Sequence, residues 1–160
     1  MRALGILLIF LAACGGEQEE TIAIDAVPSA VMNAVLKRFP SATATEAARE
    51  REDGKLLYEV SVLDGSRKID VTVTPEGEVT TIEGALSQSD LPAAVTQAVA
   101  TKYPGAVYHI IEDVITNEGG ASKLAYYEVL IETADKRFFE VQIAPDGKIL
   151  KEEKKTGVEP

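Results

Sequence analysis

Covalent chemistry in a protein needs a nucleophile with a base beside it, or a set of metal ligands. The only histidine is His109, with Glu112 and Asp113 just behind it. On a strand, side chains alternate between faces, so His109 and Asp113 would share one face and Glu112 would take the other. No Gly-x-Ser-x-Gly, His-Glu-x-x-His or phosphate-loop pattern accompanies them. His109 therefore reads as a surface residue or a polar contact, and no catalytic residue, cofactor or metal-ligand set is expected. Asp53-Gly54 and Asp64-Gly65 read as turns, and no Asp-x-Asp-x-Asp loop suggests calcium. Glu17, Glu19 and Glu20 could attract divalent ions weakly, but read better as a solvated linker.

The residue that does point to a reaction is Cys14, the only cysteine. It closes the run Leu11-Ala12-Ala13-Cys14-Gly15, after Met1-Arg2 and an apolar stretch from Ala3 to Ala13. Those 11 residues are too few to span a bilayer as a helix, which takes about 20. They have the form of an export signal, residues 1–13. Small residues before a cysteine resemble a bacterial lipobox, where cleavage precedes the cysteine and its thiol takes a diacylglycerol. Cys14 is thus the expected lipidation site and the means of membrane attachment. With that thiol used, the mature chain has none left for disulfides, catalysis or metal binding. Residues 14–24, small and acidic at their start, read as a flexible tether. Gly15 rather than Asp after the cysteine implies, by resemblance to Gram-negative lipoproteins, the periplasmic face of the outer membrane.

The composition is that of a globular protein, 46% hydrophobic and 26% charged. Acids outnumber bases 26 to 16, giving a net charge of −10. That argues against a nucleic-acid-binding surface, which needs clustered cations.

The mature chain is organised by an internal repeat. Val27-Pro28-Ser29-Ala30-Val31 through Val35 aligns with Leu91-Pro92-Ala93-Ala94-Val95 through Val99, and Phe39-Pro40 with Tyr103-Pro104, all at an offset of 64. Leu57-Tyr58-Glu59-Val60 aligns with Tyr126-Tyr127-Glu128-Val129 at an offset of 69, and the stretch ending Pro75-Glu76-Gly77 with that ending Pro145-Asp146-Gly147 at 70. The offset grows across Asn117–Ser122 and Thr133–Lys136, which read as turns, where insertions are tolerated. Each unit opens with one apolar stripe at helical spacing, from Val27 to Phe39 and from Leu91 to Tyr103. Pro28 and Pro92 are expected in the first turns, with Asp25, Ser89 and Asp90 ready as caps. Alternating strands follow: Tyr58 to Val62 and Ile69 to Val73, then Tyr127 to Ile131 and Phe139 to Ile143. Period two with one apolar face predicts a sheet covered on one side. A strand is plausible at Val107 to Ile115 and weakly signalled at Thr43 to Arg49. The expected fold is α+β, a tandem repeat of one helix on a four-stranded antiparallel sheet over residues 25–84 and 85–154, with a tail at 155–160. Whether the halves make two sheets or one of eight strands stays open.

Pro-x-Ala-Val-x-x-Ala-Val, aromatic-Pro, Tyr-Glu-Val and Pro-(Asp/Glu)-Gly occur in that order in both units. This pattern resembles the PepSY-like exported bacterial proteins, also described as β-lactamase-inhibitor-like, from about Asp25 to Glu153. The resemblance implies helix-plus-sheet repeats and, for some members, inhibition of another protein through the open sheet face. Glu76 departs from the Asp of the turn motif.

The strands' polar faces supply the remaining hint. Leu57, Leu63, Tyr126, Leu130 and Phe138 fall where alternation predicts solvent, and exposed apolar surface marks interaction sites. They are the candidate partner-binding residues; packing within the protein is the competing reading. The sequence thus points to a non-catalytic exported binding module acting on an envelope protein. Sensing of a small molecule or metal ion is the alternative.

Overall fold

The computed structural model describes residues 19–52, 54–118 and 121–157. The export signal and Cys14 lie outside the described residues. Among the described residues are nine strands and two α-helices, an antiparallel α+β arrangement whose strand order follows the chain. The described residues divide into two compact units, the first up to Ile82 together with a short segment near Asn117 and Ala121, the second covering 83–116 and 122–157.

In the first unit, β1 (Glu20–Thr21) precedes α1 (Ser29–Arg38), β2 (Thr43–Glu52), β3 (Lys55–Asp64), β4 (Arg67–Val73) and β5 (Val79–Ala85). Glu20 and Thr21 pair with Arg49 and Ala48, and the Ile22 N–H donates to the Ala47 carbonyl at 2.9 Å. The last part of the stretch read as a tether is therefore laid along β2. The weakly signalled strand at Thr43 is ten residues long. Its alternation is poor because a register shift between Ala44 and Glu46 breaks the period. Val31 and Val35 of α1 are fully buried, as are Val60, Val62, Val71 and Val73 of β3 and β4, on which α1 packs. Each such valine contributes about 1.5–3 kcal/mol relative to exposure.

The later elements are α2 (Ala93–Lys102), β6 (Val107–Glu118), β7 (Ala121–Glu132), β8 (Phe138–Ile143) and β9 (Ile149–Lys155), with no strand among the described residues in the place that β1 takes before α1. Leu91, Val95 and Val99 close a core with Val129, Ile131 and Val141. Asn117 to Ser122, read as a turn insertion, mostly extends the two strands of the β6–β7 hairpin.

Both prolines stand one residue earlier than expected. Pro28 and Pro92 are the N-cap residues, at φ −55° and −57°, and no side chain caps either helix. Ser87 and Asp90 instead form a capping box on a short 3₁₀ turn before α2. Gly77 and Gly147, in the hairpin turns, have φ +91° and +88°. A Cβ there would come within 2.9 Å of the Ala30 carbonyl oxygen and 2.6 Å of that of Ala94. The turn backbone thus lies directly against the helix, and only glycine allows it.

Candidate functional site

The structure separates the five expected binding residues. Leu63 is exposed and Tyr126 and Phe138 are half-buried, but Leu57 and Leu130 are 7% and 6% exposed. For those two, the expectation of a solvent position is corrected. Alternation sets the face a side chain points to, not how far neighbours on adjacent strands cover it. Leu130 lies opposite Glu140, and Leu57 opposite Glu50. His109 is partnered by Glu132 and Phe138. Its Nε2 lies 3.0 Å from Glu132 Oε2, and its ring is 5.5 Å from that of Phe138.

The same polar faces hold paired carboxyl groups. In the first unit Ser61 stands opposite Asp70, and its hydroxyl donates to Asp70 Oδ1. Lys68 Nζ is 3.3 Å from Asp70 Oδ2. Glu59, two residues before Ser61 on that face, is the most perturbed group. Burial pushes its pKa up to about 8, and the charges of Asp70, Glu50 and Glu19 add to the rise while Lys68 opposes it.

The second unit repeats the arrangement with Glu128 and Glu140. Burial raises Glu128 to about 7, and the Glu140 charge adds to it. A hydrogen bond from Gln142 Nε2 to Glu128 Oε2 at 2.9 Å, with Lys155 and Lys151, works in the other direction. Lys155 lies 3.3 Å from Glu140 and 3.2 Å from Glu153, and Lys151 is 3.4 Å from Glu153. Burial also raises Glu140, against the pull of Lys155.

These carboxyls were missed because Glu and Asp between valines read as solvated positions. The signal was present in the alignment of the two units: Glu59 with Glu128 at an offset of 69, and Asp70 with Glu140 at 70.

Neutral carboxylic acids can donate hydrogen bonds or protons, but acid–base catalysis also needs a substrate cleft that brings a reacting group to them. Two hollows flank α2, of about 490 and 350 Å³, the first lined in part by Lys102 and Asp146 and the second by Tyr103 and Tyr108. Among the described residues, no group of three or more His, Cys, Asp and Glu is placed to hold a metal ion. Nor is any helix long and apolar enough to cross a membrane.

The helix, the aromatic-Pro stop, the Tyr-Glu-Val strand and the tight turn under α1 fall within the stretch that a family model matches. Residues 28–80 match the PepSY family, described as the peptidase propeptide and YPEB domain. No curated protein matches the chain. Likeness over most of the chain rests on solved structures. A protein of Bacteroides eggerthii described as periplasmic is 20% identical with a TM-score of 0.65, over 80% of this chain and 88% of that one. A DUF2874 family protein of Bacteroides uniformis gives 20%, 0.63, 79% and 88%. A BLIP-like protein of Bacteroides fragilis gives 19%, 0.61, 80% and 86%. At these identities the likeness is one of fold.

Proposed function

We propose that the chain is a non-catalytic binding module made of a duplicated α+β unit, exported and held by lipid on Cys14 at the periplasmic face of the outer membrane, where it modulates an envelope protein. The observation that carries the reading is the polar face of the second unit. There the half-buried rings of Tyr126 and Phe138 bracket Glu128, Leu130, Glu140 and Gln142 on adjacent strands. Aromatic rings around a desolvated polar strip suit a protein interface, where Tyr and Phe serve as anchors. Leu130 and Leu57 belong to the packing beneath such surfaces and make no direct contact in this reading. Leu63, exposed on the first unit's polar face, is kept as a separate contact residue. The PepSY match and the periplasmic and BLIP-like descriptions of proteins with this fold support an exported, inhibitor-type role.

The test is crosslinking in intact envelopes with Tyr126→Ser/Phe138→Ser. The variant should keep its far-UV spectrum and lose the crosslinked partner seen with the parent chain. Retention of the partner at parental yield rejects this face. Cys14→Ser should separately abolish labelling by a fatty-acid analogue and release the chain from the membrane fraction.

A further inference from the structure

We infer that the outer edge of β9 is a second interaction surface, which accepts an acidic, extended segment of a partner protein as an added strand. The inference does not depend on the face described under Proposed function. β9 pairs with β8 on one side and, among the described residues, with no strand on the other. The seven residues Ile149–Lys155 therefore present a row of main-chain donors and acceptors to solvent. Such an edge can take up another strand, with main-chain hydrogen bonds supplying affinity and side chains supplying selection. The edge is well exposed: Leu150 is 49% accessible, and Lys151 and Lys154 are exposed, while the Glu152 carboxylate is held by Lys102 and Tyr103 at the end of α2. At the other end of the strand order, the two residues of β1 lie along β2.

Charge chooses the occupant. The chain carries −10 overall, yet the eight residues 148–155 hold Lys148, Lys151, Lys154 and Lys155 against Glu152 and Glu153, a local net charge of +2. Lys151 and Lys155 are engaged by Glu153 and Glu140. Lys148 and Lys154 are exposed and have no ion-pair partner among the described residues. Lysines on an edge strand discourage pairing with a second, equally basic edge. They favour a strand that brings carboxylates.

The test uses the full chain and three nine-residue probes: alternating Val and Glu, alternating Val and Lys, and the Val-Glu peptide N-methylated at alternate residues. Fluorescence anisotropy at low ionic strength should show binding of the Val-Glu peptide, and hydrogen exchange should slow within Ile149–Lys155. Replacing Glu by Lys, N-methylation, or the variant Lys148→Glu/Lys154→Glu should each weaken binding about tenfold or more, and added salt should weaken it further. The inference is overturned if the Val-Glu peptide does not bind, if the N-methylated peptide binds equally well, or if protection falls outside β9. Sedimentation showing that the chain pairs with itself through β9 would also overturn it.

Discussion

The carboxyl pairs Glu59/Asp70 and Glu128/Glu140 occupy matching strand positions in the two units, yet Glu59 rises to about 8 and Glu128 to about 7. Burial is the leading cause in both. The difference lies in what stands around them. Glu59 faces Asp70, Glu50 and Glu19 with Lys68 as the one opposing cation, whereas Glu128 has the Gln142 amide, Lys155 and Lys151 against Glu140. Those lysines belong to β9, a strand whose first-unit counterpart, β5 (Val79–Ala85), carries no lysine. Matching cross-strand register therefore does not give equal electrostatics, because cations on the neighbouring strand set how far desolvation is offset.

The largest effect expected from probing the two units is on packing. Ile131→Ala empties a fully buried site and should cost about 2–5 kcal/mol in urea unfolding. Val62→Ala, at the first unit's equivalent position, removes less volume and should cost less; equal losses would show that the cores are not packed alike. Gly147→Ala and Gly77→Ala should each cost about 1–3 kcal/mol, since both combine positive φ with contact against a helix carbonyl. Gly147→Ala should be the worse of the two, because its contact is the tighter. The reverse order would break the comparison.

The electrostatic predictions are smaller. Glu59 is raised from an ordinary 4.5, so between about pH 4.5 and 8 the folded chain holds a proton the unfolded chain has lost. Its stabilising contribution is full below that window and is lost as pH rises through it. Thermal unfolding of Glu59→Gln should fall less between pH 5 and 9 than that of the parent. Glu128→Gln should flatten the profile in the same direction, but over a window closing near pH 7. If Glu128→Gln flattened it more, the assignment of the two environments would be inverted. The smallest effect is the most specific. Lys155→Met should move the Glu128 titration, followed by its carboxyl resonance, upward toward the first unit's value, because Lys155 is one of the groups holding it down.

The helices, most of the strands and the hairpin turns were legible in the sequence, since each depends on residues close together in the chain. A stripe at Val27, Val31 and Val35 makes a helix wherever a sheet can cover it, and Pro-Asp-Gly turns a strand with little outside help. The capping roles were less legible. Pro28 and Pro92 act one position earlier than expected, and the capping box at Ser87 and Asp90 serves a 3₁₀ turn rather than α2. The edge strand at Glu20 escaped notice because two residues give no periodicity.

What the sequence determined by itself was the face to which each strand residue points, because that follows from the two-residue repeat of extended backbone. What only the tertiary structure decided was how wet each face is. Leu57 and Leu130 point where expected, but side chains on neighbouring strands close over them. Glu59, Asp70, Glu128 and Glu140 are ordinary acids in the sequence and became perturbed or paired groups through long-range pairing, which set their exposure and the charges beside them. Coverage and charge proximity depend on residues far away in the chain, so no local pattern could have specified them.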